Sequence, residues 1–182
     1  GILAISKAEG AVTISEFIQT YDGTAKKVTV GTEPEGLDVV VAYVDLLGSA
    51  VANPINAGNY AVTAYIDDGN YSGSTTETLT INKAQAGITV SGANQTYDGN
   101  EKKVTVTTDP AGLSVMVTYT DSEGSPVSNP TNAGSYTVNA TVDDANYKGI
   151  TSVTLSIKEA SGGEDSFGEP VVYPNNSFNI LG

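Results

Sequence analysis

The chain has 182 residues and a formal charge of −13, from 8 basic against 21 acidic side chains, with no His, Cys or Trp. Every basic residue is a lysine, so there are no guanidinium forks for phosphate or guanine, and the negative field repels a nucleic-acid backbone. Without imidazole or thiolate the chain also lacks the usual general base, nucleophile, zinc or haem ligands and disulfide framework.

An internal repeat organises the chain. Thr20-Tyr21-Asp22-Gly23 returns as Thr96-Tyr97-Asp98-Gly99, an offset of 97 − 21 = 76 residues. The same offset carries Lys26-Lys27-Val28-Thr29-Val30, Asn56-Ala57-Gly58 and Asp67-Asp68 onto their second copies without a gap. More than half of the paired positions are identical, which marks a recent duplication. In chain order, residues 1–4 read as the end of a preceding repeat, because Leu3-Ala4-Ile5 matches Leu79-Thr80-Ile81 and Leu155-Ser156-Ile157. Repeat 1 then spans 5–80, repeat 2 spans 81–157, and 158–182 is a linker followed by the start of a C-terminal segment. The start at Gly1, with no leader, predicts a piece of a longer exported protein.

Within each repeat the apolar residues alternate, as in half-buried strands. In repeat 1 the inward set is Val39, Val41 and Tyr43, then Tyr60, Val62, Ala64 and Ile66. Repeat 2 gives Ile88 and Val90, Val104 and Val106, Val115, Val117 and Tyr119, Tyr136, Val138, Ala140 and Val142, and finally Leu155 and Ile157. Glu33-Pro34-Glu35-Gly36, Asp109-Pro110-Ala111-Gly112 and Asp67-Asp68-Gly69-Asn70 punctuate these runs as turns. Gly48 and Pro54, with Gly124, Pro126 and Pro130 in the second copy, exclude a helix over residues 45–56 and its counterpart. Six or seven short strands per repeat predict an all-β chain of two tandem immunoglobulin-like β-sandwich modules. The alternative is a compact β-roll or β-grasp-like sheet, which ranks lower because a β-grasp needs a covering helix. Residues 81–86 hold no Gly, Pro or Ser, so one module should pass stiffly into the next. No apolar run reaches the ~20 residues of a membrane span, and no membrane insertion is expected.

Thr-Tyr-Asp-Gly followed by Lys-Lys-Val-Thr-Val, then Glu-Pro-Glu-Gly-Leu, Asn-Ala-Gly-Asn-Tyr and Asp-Asp-Gly-Asn-Tyr-Ser-Gly, resembles the mostly-β, glycine-rich (MBG) and related YDG-type repeats of bacterial surface proteins. The resemblance implies tandem arrays in large, adhesin-like proteins, extracellular or at the cell surface, with no catalytic residues to carry over. Val171-Val172-Tyr173-Pro174-Asn175 is similar to the opening of the type A sorting domains used in type IX secretion by Bacteroidetes. There Asn176 departs from the pattern's usual Pro.

The candidate sites are few. Asp67, Asp68, Asp143 and Asp144, with Asp45 or Asp121 from another loop, could form a Ca²⁺ site of carboxylates and carbonyls, although Asp-Asp-Gly-Asn is also good turn sequence. Tyr21, Tyr71, Tyr97 and Tyr147 are the candidate ligand-binding residues, as platforms for a sugar, against the plainer reading of Tyr packed at a strand end. Lys26-Lys27 and Lys102-Lys103 read as edge-protecting charges, with an isopeptide cross-link as the remote alternative. No activated nucleophile or base can be assembled, so the chain is expected to be no enzyme and to need no cofactor. The expected role is a structural spacer or stalk whose partners are neighbouring repeats of the same chain. The alternative is a weak, multivalent binding module for a carbohydrate or a host or matrix protein.

Overall fold

A computed structural model of the chain describes residues 4–160. Residues 171–176, with the sorting-domain resemblance, lie outside them. Among the described residues every regular element is a strand. Repeat 1 contributes β1 (Ala8–Glu9), β2 (Ala11–Ser15), β3 (Ile18–Thr20), β4 (Thr29–Glu33), β5 (Val39–Val44), β6 (Gly58–Ile66), β7 (Tyr71–Ser72) and β8 (Ser74–Asn82). Repeat 2 contributes β9 (Ala84–Gln85), β10 (Gly87–Ser91), β11 (Asn94–Thr96), β12 (Thr105–Asp109), β13 (Val115–Thr120), β14 (Pro126–Val127), β15 (Gly134–Val142), β16 (Tyr147–Lys148) and β17 (Ile150–Lys158).

Each repeat is two layers of unequal size. The larger is a sheet in the order β3-β8-β6-β5, and β11-β17-β15-β13-β14 in repeat 2. The smaller is a two-stranded antiparallel ribbon, β2 with β4 or β10 with β12. The apolar residues read from the period-two pattern line the space between them. Val62, Ala64, Leu79, Val138, Ala140 and Leu155 are wholly buried, and Ile14 of the ribbon packs on the cluster of Tyr43, Val62, Leu79 and Ile81. A seven-stranded sandwich would carry further strands beside the ribbon. Here the connection from β5 to β6 holds instead a tight turn, held by Asp45, and a loop containing the buried Pro54.

The segment β2–β3, or β10–β11 in repeat 2, serves both layers. β2 runs antiparallel to β4, and the chain then turns at Glu16, in the left-handed region at φ 58°, so that β3 can lie parallel to β8. Gly92 takes this position in repeat 2 at φ 72°, a backbone conformation that glycine reaches without strain. Gln19 staples the switch by donating from Nε2 to the carbonyls of Glu16 and Lys27, at 2.7 and 2.8 Å, and Gln95 repeats it.

At the start of β6, Tyr60 donates its hydroxyl to the Asn56 carbonyl at 2.9 Å, and Tyr136 does the same to Asn132 at 3.0 Å. This is the tyrosine corner of immunoglobulin-like sandwiches. It explains why Tyr60 and Tyr136, which the alternation places inside, are only half-buried: the hydroxyl must reach the rim. At the other end Gly149 lies against the chain entering repeat 2, and a Cβ there would sit 2.7 Å from the Ala86 carbonyl oxygen.

Truncating Leu155 to Ala should cost about 2–5 kcal/mol of unfolding free energy. Met116→Ala, on the outer face of the same sheet and 59% exposed, should stay within about 0.5 kcal/mol. Urea unfolding of the two variants checks the inward and outward assignments.

Candidate functional site at the joint between repeats

The acidic loops are turns that build a corner. In repeat 2 the Asp144 Oδ1 accepts from the backbone N–H groups of Asn146 and Tyr147, at 2.7 and 3.0 Å, and Asp68 does the same for Asn70 and Tyr71. Lysine reaches the carbonyl of the same aspartate, Lys83 to Asp144 and Lys7 to Asp68, each at 2.6 Å. The neighbouring Asp143 and Asp67 are placed through backbone bonds from their N–H groups to Ser114 and Asp38. Among the described residues no group of three or more acidic side chains is positioned to hold a metal ion. The lone pairs of Asp68 and Asp144 that point inward satisfy amide donors, and the result is a rigid Asn-Tyr projection.

At the opposite end of each repeat, the Tyr-Asp-Gly loop and the Asn-Ala-Gly loop together form a pole. They are tied by Lys26, whose backbone N–H donates to the Pro54 carbonyl at 2.7 Å, while Tyr21 donates its N–H to Asn82 at the end of β8. Lys26 is buried, 9% exposed, and its ammonium pairs with Asp22 Oδ2 at 2.5 Å. Lys102 and Asp98 repeat the pair at 2.7 Å. A buried ammonium is tolerated only when paired, so these lysines lock a loop and do not guard a strand edge. Asp22 also accepts from the backbone N–H and hydroxyl of Thr24. The Lys26 ammonium first, and then Thr24, hold the Asp22 carboxyl well below the usual carboxylate range. Lys102, followed by the Asn100 amide, lowers Asp98 in the same way.

The pole of repeat 1 meets the corner of repeat 2. Tyr21 and Tyr147 stack edge to face, with ring centroids 5.4 Å apart and planes at 82°. Asn146 accepts at Oδ1 from the Ala57 backbone N–H, at 2.8 Å, and donates from Nδ2 to Asn56 Oδ1 at 3.2 Å. The connecting chain is pinned beside them. β9 pairs in parallel with β16, and the Asn146 and Lys148 carbonyls accept from Ala84 and Ala86 at 2.9 and 2.8 Å. Only Lys83 lies between β8 and β9.

Of the four tyrosines singled out in the sequence, the structure therefore brings Tyr21 and Tyr147 together and leaves Tyr71 and Tyr97 at the two outer ends. The residues that reading missed are Asn56, Ala57 and Asn146. Their signal was present: all three lie in motifs that both copies share. Elsewhere the open side of each sandwich shows shallow apolar hollows, one of them beside Val104, Val117, Tyr119 and Val127.

Comparison with known proteins gives one family. The profile of the MBG domain matches residues 10–85 and again 86–161. No curated protein matches the chain.

The aspartate–lysine locks make stability depend on pH in a defined direction. A carboxylate with a lowered folded-state pKa stabilises the fold above its unfolded pKa, and that contribution disappears as pH falls toward the folded value. The variant Asp22→Asn/Asp98→Asn should be less stable than the parent at neutral pH, and the gap should narrow from about pH 4.5 downward. Denaturant unfolding of both proteins across that range checks it; a gap independent of pH would contradict it.

Proposed function

The chain belongs to the MBG domain family through two consecutive copies, and on that premise we propose that it is a non-catalytic spacer or stalk segment of a bacterial cell-surface or secreted adhesin-like protein. The observation that carries this reading is the joint. A stalk has to transmit orientation from one module to the next, and here a strand leaves one repeat and enters the next with a single residue between. That crossing is braced on its flank by an aromatic pair and two side-chain hydrogen bonds. Each repeat keeps its own core, so length can grow by duplication without redesign of an interior.

The binding-module alternative, with an extracellular glycan or protein as ligand, has less support. Two of its four candidate tyrosines are engaged with each other, and the hydroxyls of Tyr43 and Tyr60 are engaged with backbone groups. The surface charge of −13 suits a segment that stays dispersed and avoids nucleic acid.

Small-angle scattering of the full chain separates the readings. A stalk segment should give an elongated particle, and the variant Asn146→Ala/Tyr147→Ala should broaden its distance distribution by loosening the joint. A compact particle with the repeats flank to flank would refute the stalk and favour a shared binding cleft.

A further inference from the structure

In each repeat a strand near the start lies beside the last strand and runs the same way. β3 pairs in parallel with β8 over Ile18↔Thr80, Gln19↔Ile81 and Thr20↔Asn82. β11 pairs with β17 over the equivalent positions, Asn94↔Ser156, Gln95↔Ile157 and Thr96↔Lys158. Each ladder continues one residue beyond the short strand at both ends. Thr80 donates its N–H to the Phe17 carbonyl at 2.7 Å, and Tyr21 donates to Asn82 at 2.9 Å. In repeat 2, Ser156 donates to Ala93 and Tyr97 to Lys158, both at 2.8 Å.

Parallel pairing decides how these bonds meet a load. The chain enters β11 at Asn94 and leaves β17 at Lys158, and these are opposite ends of the pair. Tension along the chain therefore draws β11 backward and β17 forward along their common axis. The strands have to slide past each other, so the ladder bonds are loaded together. An antiparallel pair would have its entry and exit at one end and would open bond by bond. Only Lys83 separates β8 from β9, so tension leaving repeat 1 passes almost directly into repeat 2.

Two further features resist the sliding. Gln95 donates from Nε2 to the Gly92 and Lys103 carbonyls, at 2.7 and 2.9 Å, which ties β11 to the chain ahead of β12. Gln19 ties β3 in the same way. On the last strands Leu79 and Leu155 are wholly buried and Ile81 and Ile157 are 2% exposed. Water has little access to the inner side of the ladder, where a hydrogen bond is stronger than one in contact with solvent.

We propose that the β3–β8 and β11–β17 pairs are force-bearing clamps, which set the load at which each repeat unfolds when the chain is pulled from its ends. Each clamp is built within one repeat. It rests on the pairing alone and does not depend on the stalk reading, so a compact particle in scattering would leave it untouched.

Single-molecule force spectroscopy on the full chain tests this, with handles joined to its two ends. The expected trace has two ruptures, each releasing the length of one repeat. The second geometry pulls on Asn100→Cys/Glu159→Cys; the chain has no cysteine of its own, and both positions are exposed. Residue 100 follows β11 and residue 159 follows β17, at the same end of the pair, so this load opens the pair from that end. Repeat 2 should then yield at a severalfold lower force. Tyr97→Pro removes the N–H that bonds Lys158, and Thr96 before it is already extended, as a residue preceding proline prefers. With handles at the chain ends, this variant should weaken one of the two ruptures and leave the other unchanged, because forced unfolding follows the unfolding barrier. Equal rupture forces in the two pulling geometries, or a folded Tyr97→Pro chain with both ruptures unchanged, would overturn the proposal. Should Tyr97→Pro fail to fold, the comparison of geometries decides by itself.

Discussion

A single residue, Lys83, separates the last strand of repeat 1 from the first strand of repeat 2, and the relation between the repeats follows from that brevity. β8 lies inside its sheet, between β3 and β6, with Leu79 and Ile81 in the core, so its exit is fixed by packing. One residue adds less than about 4 Å of reach. The chain therefore enters repeat 2 directly beside the pole it has left, and whatever that pole and the facing corner present must be compatible. Both surfaces are backbone-rich turns, and a turn that is covered must have its polar groups satisfied. Asn146 does this for the Ala57 N–H, and the edge-to-face tyrosines supply apolar cover beside it.

This gives a physical reason for the motifs that the two copies share outside their cores. Tyr-Asp-Gly, Asn-Ala-Gly and Asp-Asp-x-Asn-Tyr recur in both repeats, and in the joint they build the pole of repeat 1 and the corner of repeat 2. The aspartates close turns, the buried lysines tie the pole's loops together, and the tyrosine corner fixes the Asn-Ala-Gly loop. The tip of the turn after β5 has diverged while its base has not. Leu46-Leu47, 82% and 91% exposed at a turn tip, face Ser122-Glu123 in the second copy. The Asp45 and Asp121 bonds beneath the two tips are alike.

The all-β class was legible because period-two alternation is a local signal, and the burial of Val62, Val138, Leu155 and Ile157 follows it directly. Four features were not legible. The small ribbon layer depends on the β5–β6 connection making no strands beside it, which turn residues such as Pro54 suggest but do not dictate. The sheet switch after β2 hinges on one left-handed residue, glycine in repeat 2 but Glu16 in repeat 1, so the two sequences give conflicting signals. The meeting of Tyr21 with Tyr147 is a contact between repeats, and a pattern confined to one repeat carries no information about it. Lys26 and Lys102 look like edge charges in sequence because the partner that allows their burial lies four residues back, across a turn and not along a strand.

The edge-to-face contact of Tyr21 with Tyr147 ties the two repeats together across the joint. A double-mutant cycle on Tyr21→Ala and Tyr147→Ala, read as the unfolding free energy of the full chain, measures that interaction free of each residue's contacts within its own repeat. The expected result is a favourable coupling of about 0.5–1.5 kcal/mol, the range of aromatic pairs. Strictly additive effects of the two substitutions would contradict it.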